Sequence, residues 1–156
     1  MSTHLKAGDK APNFSLKNQD GKKVALKDFK GQKFVLFFYP KDMTSTCTVE
    51  ACNLRDNYSA LQKQGIAVVG ISPDDETSHQ KFIGKHELPY TLLADTEQTM
   101  LNAYGVWGEK SMYGRKYMGV HRTTFLINED GKIHDVIVKV EAKNHAAQIL
   151  NLWGLK

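Results

Sequence analysis

Two cysteines, Cys47 and Cys52, are the residues of this 156-residue chain whose type and spacing best suit covalent chemistry. A cysteine reacts as its thiolate, which can attack a disulfide or be oxidised to a sulfenic acid. Two cysteines are too few for a structural disulfide framework, so we expect catalysis, redox sensing or simple burial. Burial is the plainest alternative, because a free cysteine often behaves as a small apolar side chain.

The position of Cys47 favours reactivity over burial alone. It follows an apolar, β-rich run at 33–39, which predicts a strand buried on both faces and ended by Pro40. Open α/β sheets usually keep their sites at the carboxyl ends of strands, and the free N–H groups at a helix N-terminus favour a thiolate. We therefore predict that Cys47, behind Thr44, is a nucleophile at the start of a helix.

The spacing of the two cysteines limits how they can react with each other. Helical spacing places Cys47 on one inward stripe with Ala51, Leu54, Tyr58 and Leu61. Five residues further on, Cys52 is turned by about 140° and raised by about 7.5 Å, so the two Cα atoms are about 8.6 Å apart in a straight helix. A disulfide normally needs less than about 7 Å, so the first helical turns must unwind before the pair can bridge.

This requirement bears on three possible functions. A thiol–disulfide oxidoreductase cycles best when its oxidised and reduced folds nearly coincide. A peroxidase, in contrast, can keep its helix folded while its thiolate attacks the oxidant. The spacing therefore favours a peroxidase, while a non-catalytic redox sensor or holdase that uses the same cysteines as a switch stays open.

The remaining segments predict a single α/β domain over residues 1–156. Further strands are predicted at 65–72, 124–127 and 132–140, and helices at 74–86, 96–104 and 144–153. Segments 14–16 and 23–26 predict a small N-terminal hairpin, and 111–119, with Met112 and Met118, predicts a surface loop. These elements fit a thioredoxin-like fold with a central mixed sheet flanked by helices.

Composition excludes several classes of protein. Hydrophobic residues make up 41% and charged residues 24% of the chain, and no run approaches the roughly 20 apolar residues of a membrane span, so we expect a soluble, cytoplasmic protein that does not bind membranes. The formal charge is +4, but the lysines and arginines are scattered, which argues against nucleic-acid binding. The six histidines have no helical pairing, which argues against a metal site.

Residues 38–56 resemble the active-site segment of peroxiredoxins, specifically the bacterioferritin-comigratory, or Q-type, subgroup. The Pro-x-x-x-Thr-x-x-Cys pattern of the family is complete in Pro40, Thr44 and Cys47. The resemblance continues in order through 69–74, 88–95, 104–110 and 122–127, and so it spans nearly the whole chain.

The resemblance implies a role for each of five residues. Cys47 would be the peroxidatic thiolate and Cys52 the resolving thiol. Thr44 would hydrogen-bond the peroxide, Pro40 would shield the pocket from water, and Arg122 would hold its guanidinium beside the thiolate.

The same resemblance implies a complete reaction. The protein would reduce hydrogen peroxide and organic hydroperoxides without a metal or organic cofactor, and a thioredoxin-like protein would return the electrons. We also expect a monomer or a weak dimer.

One departure from the family pattern concerns the loop before Cys47. The family commonly has Pro-Gly where this chain has Ser45 and Thr46, whose hydroxyls can still cap the helix, so we expect the loop to form. Glu50 could hydrogen-bond in the site, but we favour the interpretation that it is an acidic group that stabilises the first helical turn.

Overall fold

The computed structural model describes residues 3–155, and the predicted mixed sheet lies at its centre. The strands are β1 (Ser15–Lys17), β2 (Lys23–Ala25), β3 (Lys33–Phe38), β4 (Ile66–Ser72), β5 (Thr91–Ala94), β6 (Trp107–Met112), β7 (Arg115–Val120), β8 (Thr123–Ile127) and β9 (Ile133–Ile137). The central sheet has the order β5-β4-β3-β8-β9, in which β3 is parallel to β4 and antiparallel to β8. Strands β1 and β2 form the predicted N-terminal hairpin.

Helices cover both faces of this sheet. They are α1 (Ser45–Asp56), α2 (Tyr58–Lys63), α3 (Glu76–His86), α4 (Thr99–Ala103) and α5 (His145–Leu152), with short 3-10 helices at Leu26–Phe29 and Ala142–Asn144. None of the helices among residues 3–155 combines the length and the apolar character needed to cross a bilayer. The predicted elements are present, with ends that differ by a few residues, except in the helix that starts at Cys47 and in the loop predicted at 111–119.

Alternation along β3 divides the core into two layers. Val35, Phe37 and Tyr39 face the layer that contains Cys47 and the α1 side chains Ala51 and Leu54. The intervening side chains of β3 face a second layer, formed with α4 and the N-terminal segments. Because both layers are apolar, every residue of β3 after its first is buried, which explains the unbroken apolar run in the sequence.

The predicted long helix through Cys47 and Leu61 is interrupted. Helix α1 ends at Asp56, and α2 starts again at Tyr58. Between them, the Asn57 side chain donates a hydrogen bond to the Asn53 carbonyl at 2.8 Å, and such local side-chain bonds compete with helix continuation. The prediction of one continuous helix was therefore wrong, but its inward stripe is confirmed. Cys47, Ala51, Leu54 and Leu61 lie in one buried cluster, and the half-buried Tyr58 packs against it.

The predicted surface loop at 111–119 was also wrong, because these residues belong to a β-hairpin. Strands β6 and β7 pair antiparallel and are joined by Tyr113 and Gly114, whose φ values are 52° and 78°. Two successive positive φ values are typical of a type I′ turn, whose backbone twist matches that of the two strands it joins. Met112 and Met118 are exposed on this hairpin, as expected for surface residues.

Gly70 provides a test of how tightly β4 packs. A Cβ at this position would lie 2.7 Å from both Leu92 Cδ2 and Phe37 Cζ. We predict that Gly70→Ala lowers the free energy of unfolding by about 1–3 kcal/mol in urea titrations, because the added methyl overfills the core. The matched control is Gly84→Ala on α3, where a Cβ meets open space and alanine should stabilise the helix by about 0.5–1 kcal/mol. Equal stability of Gly70→Ala and the wild type would contradict this account of the packing.

Candidate active site

Cys47 lies in the first turn of α1, where the chain enters the helix from the carboxyl end of β3. Helix α1 starts at Ser45, and its first backbone bond runs from the Thr48 N–H to the Thr44 carbonyl at 2.9 Å. The N–H groups of the first turn, including that of Cys47, therefore lie at the open, positive end of the helix. Cys47 is only 2% exposed, so the electrostatic field of the helix N-terminus acts on a sulfur atom that is shielded from water.

Arg122 brings a positive charge to this sulfur atom. Its Nη2 atom donates to Cys47 Sγ at 3.0 Å, and its Nη1 atom donates to Glu50 Oε1 at 2.5 Å. Arg122 comes directly before β8, whose Thr123 pairs with Phe38 at the end of β3. The antiparallel register thus joins two residues that are 75 positions apart in the sequence.

Glu50 is a buried part of this site, which corrects the prediction of a plain first-turn acidic group. It lies one turn after Cys47 on α1, and its side chain is 0% exposed. Burial raises the pKa of Glu50 to about 7, although the charge and hydrogen bond of Arg122 oppose the shift. Behind it, His145 Nε2 lies 3.4 Å from Glu50 Oε2, and burial lowers the pKa of His145 to about 4.

The loop between β3 and α1 is held by a buried polar network around Asp42. The Asp42 carboxylate accepts hydrogen bonds from Tyr39 Oη at 2.6 Å, Ser78 Oγ at 2.7 Å and His79 Nδ1 at 2.7 Å. Its backbone N–H donates to Asp74 Oδ2 at 2.7 Å. These bonds attach the loop to α3 and to the end of β4, which fixes where α1 begins.

This network also clusters three potential metal ligands that the sequence did not suggest. Atoms of Asp42, Asp74 and His79 lie within 4.8 Å of one another. Each of these atoms already has a hydrogen-bond role, since His79 Nε2 faces the Leu93 carbonyl at 2.9 Å and Asp74 Oδ2 accepts from Ser72 Oγ at 2.7 Å. The geometry is therefore that of a hydrogen-bonded ion pair that supports the loop.

Thr44 and Pro40 lie on the loop in front of Cys47. Thr44 is exposed and donates its hydroxyl to the Lys41 carbonyl at 2.7 Å, and Pro40 is half-buried. The N-cap residue of α1 is Thr44, not Ser45 or Thr46, and the Thr44 side chain makes no cap hydrogen bond. The loop instead depends on the Asp42 network.

Cys52 lies further along the same helix, away from the Arg122 contact. It is half-buried, and both cysteines are free thiols on a continuous α1, which is the arrangement predicted for the reduced protein. Beside it, Asn53 donates Nδ2 to the Lys143 carbonyl and accepts the Ala146 N–H through Oδ1, at 2.7 and 2.8 Å. These bonds fasten the second half of α1 to the start of α5.

Sequence reasoning considered a role in the site for Glu50 but did not favour it, and it missed His79 and His145. Glu50 follows Cys47 at i+3 on the predicted inward side of the helix, and that spacing was the available signal. His79 and His145 stand 37 and 95 residues away from their partners Asp42 and Glu50, so no local pattern connects them.

A shielded thiol beside an arginine, at a helix start on a mixed sheet, defines a thiol-based redox protein. Comparison with known families matches residues 7–136 to the AhpC/TSA family. Peroxiredoxin Bcp of Escherichia coli K12 is 50% identical over 147 residues, 94% of each chain, and that of Bacillus subtilis is 43% identical over 146 residues, 94% of this chain and 93% of its own. A solved structure of a Xylella fastidiosa PrxQ mutant has a TM-score of 0.91 and 29% identity over 98% of both chains.

The chain therefore belongs to the AhpC/TSA family, within the peroxiredoxins of the bacterioferritin-comigratory, or Q-type, subgroup. Its enzyme class is thiol peroxidase. The structural match also confirms the predicted thioredoxin-like fold.

The Asp42–His79 pair predicts a pH-dependent contribution to stability. Burial opposes the charge of His79, but the hydrogen bond and charge of Asp42 outweigh it and raise its pKa above 6.5. A raised pKa stabilises the folded protein fully below the unfolded value of about 6.5, and this stabilisation is lost as pH rises through the folded value. The difference in unfolding free energy between wild type and His79→Gln should therefore shrink as pH rises through that range.

Urea unfolding at a series of pH values measures this difference. His86→Gln, on the same helix, is the matched control. It also removes a histidine, but the His86 ring contact is edge-on packing against Phe82 and not an ion pair. A wild-type to His79→Gln difference that stayed constant with pH would show that the ion pair is not formed.

Proposed function

We propose that this peroxiredoxin reduces hydrogen peroxide and organic hydroperoxides with Cys47 as the peroxidatic thiolate and Cys52 as the resolving thiol. The observation that carries the proposal is the 3.0 Å contact between Arg122 Nη2 and Cys47 Sγ at the N-terminus of α1. A guanidinium and a helix N-terminus both stabilise negative charge on that sulfur atom. The thiolate is the form that attacks a peroxide.

In the first step, a lone pair of the Cys47 sulfur attacks the terminal oxygen of the hydroperoxide. An S–O bond forms, the O–O bond breaks with its electron pair on the leaving oxygen, and that oxyanion takes a proton to become water or an alcohol. Sulfur is oxidised to the sulfenic acid, and the peroxide is reduced by two electrons.

Arg122, Thr44 and Pro40 would act on this step by position and charge. Negative charge moves from sulfur to the leaving oxygen, and a fixed guanidinium within reach of both stabilises the transition state without reorganising. Thr44 Oγ1, on the exposed side of the loop, would hydrogen-bond the peroxide. Pro40 would limit the access of water to Cys47.

In the second step, the Cys52 thiol attacks the sulfenic sulfur atom, and water leaves as the disulfide forms. Cys47 and Cys52 lie on one continuous helix, so the first turns of α1 must open. The contacts that fasten Asn53 to α5 favour opening on the N-terminal side of Cys52. A thioredoxin-like dithiol would then reduce the disulfide.

Organic hydroperoxides are proposed as substrates on the strength of a related protein. A solved structure of the Xanthomonas campestris bacterioferritin comigratory protein, 30% identical with a TM-score of 0.84 over 90% of both chains, is described with that protein's alkyl peroxide reduction activity. The half-buried Pro40 and the exposed Thr44 leave the loop in front of Cys47 accessible to a substrate of this kind.

Single-cysteine variants test the assignment of the two thiols. Cys47→Ser should abolish turnover, whereas Cys52→Ser should still be oxidised once per chain, because only the resolving step is lost. The measurements are consumption of reductant in an assay coupled to a thioredoxin system, and mass spectrometry of Cys47 after one equivalent of peroxide. Turnover by Cys47→Ser near the wild-type rate would refute the proposal, and oxidation without turnover in the wild type would favour a redox sensor.

The resolving step predicts a redox-dependent change in α1. Backbone amides in 45–50 should exchange hydrogen faster in the disulfide form than in the reduced form, because that part of the helix must unwind. Amides of α3, which carries neither cysteine, serve as the internal control in the same experiment. Equal protection of 45–50 in both forms would mean that the disulfide forms without local opening.

A further inference from the structure

Glu50 and His145 make a buried contact that the reaction above does not use. Both side chains are 0% exposed, and Glu50 Oε2 lies 3.4 Å from His145 Nε2. Arg122 occupies Oε1 only, and among the described residues Oε2 has no hydrogen-bond partner. An unpaired carboxyl oxygen at this depth is costly, so its protonation state matters.

The other contacts of His145 decide which ring nitrogen carries a proton. His145 Nδ1 lies 2.8 Å from Gln148 Oε1, which also accepts the Glu141 N–H at 2.9 Å. Gln148 Nε2 donates to the Lys139 carbonyl at 3.0 Å, so the amide orientation is fixed and Oε1 is an acceptor. His145 Nδ1 is therefore the donor, and in the neutral ring Nε2 carries a lone pair, which the Thr124 hydroxyl faces at 2.8 Å.

A neutral His145 and an ionised Glu50 would point two lone pairs at each other in a site closed to water. One proton between Oε2 and Nε2 removes this conflict, because either atom can then donate to the other. We propose that Glu50 and His145 hold one such proton while Cys47 is a thiolate, and that they lose it when Cys47 is oxidised. This inference rests on the proposed role of Cys47.

The proton belongs mainly to Glu50. Burial raises the pKa of Glu50 to about 7 and lowers that of His145 to about 4, so the acid form of Glu50 faces a neutral imidazole at pH values between these two. The carboxylic acid O–H then faces the Nε2 lone pair of His145, which it shares with the Thr124 hydroxyl, while Arg122 still donates to Oε1.

The link to the redox state follows from a count of charges. With Cys47 as the thiolate, Arg122 already has one anion, and an ionised Glu50 would leave a buried net charge of one unit. Oxidation forms the neutral sulfenic acid, so Arg122 loses that anion and favours ionisation of Glu50. The leaving oxyanion takes a proton from solvent, and the proton lost from Glu50 returns to solvent, so the protons balance.

Within residues 3–155, two further titratable groups, Lys110 and Tyr90, face this cluster. Lys110 on β6 donates to the Val120 carbonyl at 2.9 Å, and burial and the charge of Arg122 both lower its pKa. Tyr90 donates its hydroxyl to the Ala51 carbonyl at 2.7 Å, and burial and the charge of Glu50 raise its pKa, which keeps it neutral. Neither group lies between Glu50 Oε2 and His145 Nε2, so Glu50 is the carboxyl that we expect to respond.

Infrared difference spectroscopy tests this directly. The Cys52→Ser protein, arrested at the sulfenic acid, is compared before and after one equivalent of hydrogen peroxide, at a pH below the value of about 7 for Glu50. We expect oxidation to remove the C=O stretch of one protonated carboxyl, and we expect Glu50→Gln in the same background to lack this change. His145→Gln should lack it too, because the new amide N–H can donate to Oε2 and favour the carboxylate in the reduced state.

The matched control is Asp95→Asn, which removes another buried carboxyl whose pKa burial raises and whose Oδ1 is also unpaired among the described residues. The band lost on oxidation should persist in this variant. If mass spectrometry shows Cys47 oxidised while no carboxyl band changes in Cys52→Ser, the shared proton is refuted. If Cys47 itself is not oxidised, the proposed function fails instead.

Discussion

The geometry of this site depends on one guanidinium that contacts both a cysteine sulfur atom and a buried carboxyl group. Arg122 extends one nitrogen to Cys47 Sγ and the other to Glu50 Oε1, so the fork of the arginine sets the distance between the Cys47 sulfur atom and a buried carboxyl. A lysine ammonium is a point charge and could not hold both partners in this geometry. In the proposed function, the reactivity of Cys47 would therefore depend on the contacts that fix Arg122 and Glu50.

Three parts of the fold fix them. The pairing of β3 with β8 delivers Arg122 to the carboxyl end of β3. The Asp42–His79 pair holds the loop from which α1 begins, and Asn53 fastens the second half of α1 to α5. In the first half of α1, Arg122 contacts Cys47 and Glu50, and Cys47 packs in the buried core. In the proposed function, oxidation of Cys47 would remove the thiolate that Arg122 contacts, and this would weaken the hold on the segment that must open for resolution.

The sequence predicted the elements that have strong local patterns. The apolar run of β3, the helix start at Cys47 and the N-terminal hairpin were predicted from residue periodicity and turn residues. Arg122 was predicted only through the family resemblance, because nothing local distinguishes it from other arginines. Its contact with Cys47 exists because a sheet register joins distant strands.

The features that were missed or wrongly predicted also have physical causes. The β6–β7 hairpin is formed by polar, exposed residues around Tyr113 and Gly114, so no apolar alternation indicated strands. Glu50 was interpreted as an acidic group that stabilises the first helical turn, because carboxylates are favourable near a helix N-terminus, and here it is instead buried beside the Arg122 guanidinium. The partnership of Glu50 with His145 depends on how α5 docks, which no sequence spacing encodes.

The most direct test of the central claim is the second-order rate constant for oxidation of Cys47 by hydrogen peroxide in Arg122 variants. Arg122→Met should lower this constant by about 10²- to 10³-fold, comparable to the loss of a fixed transition-state donor in other enzymes. Arg122→Lys should recover only part of the loss, because one ammonium cannot contact both Cys47 and Glu50. A folded Arg122→Met protein whose Cys47 is oxidised at the wild-type rate would contradict the account.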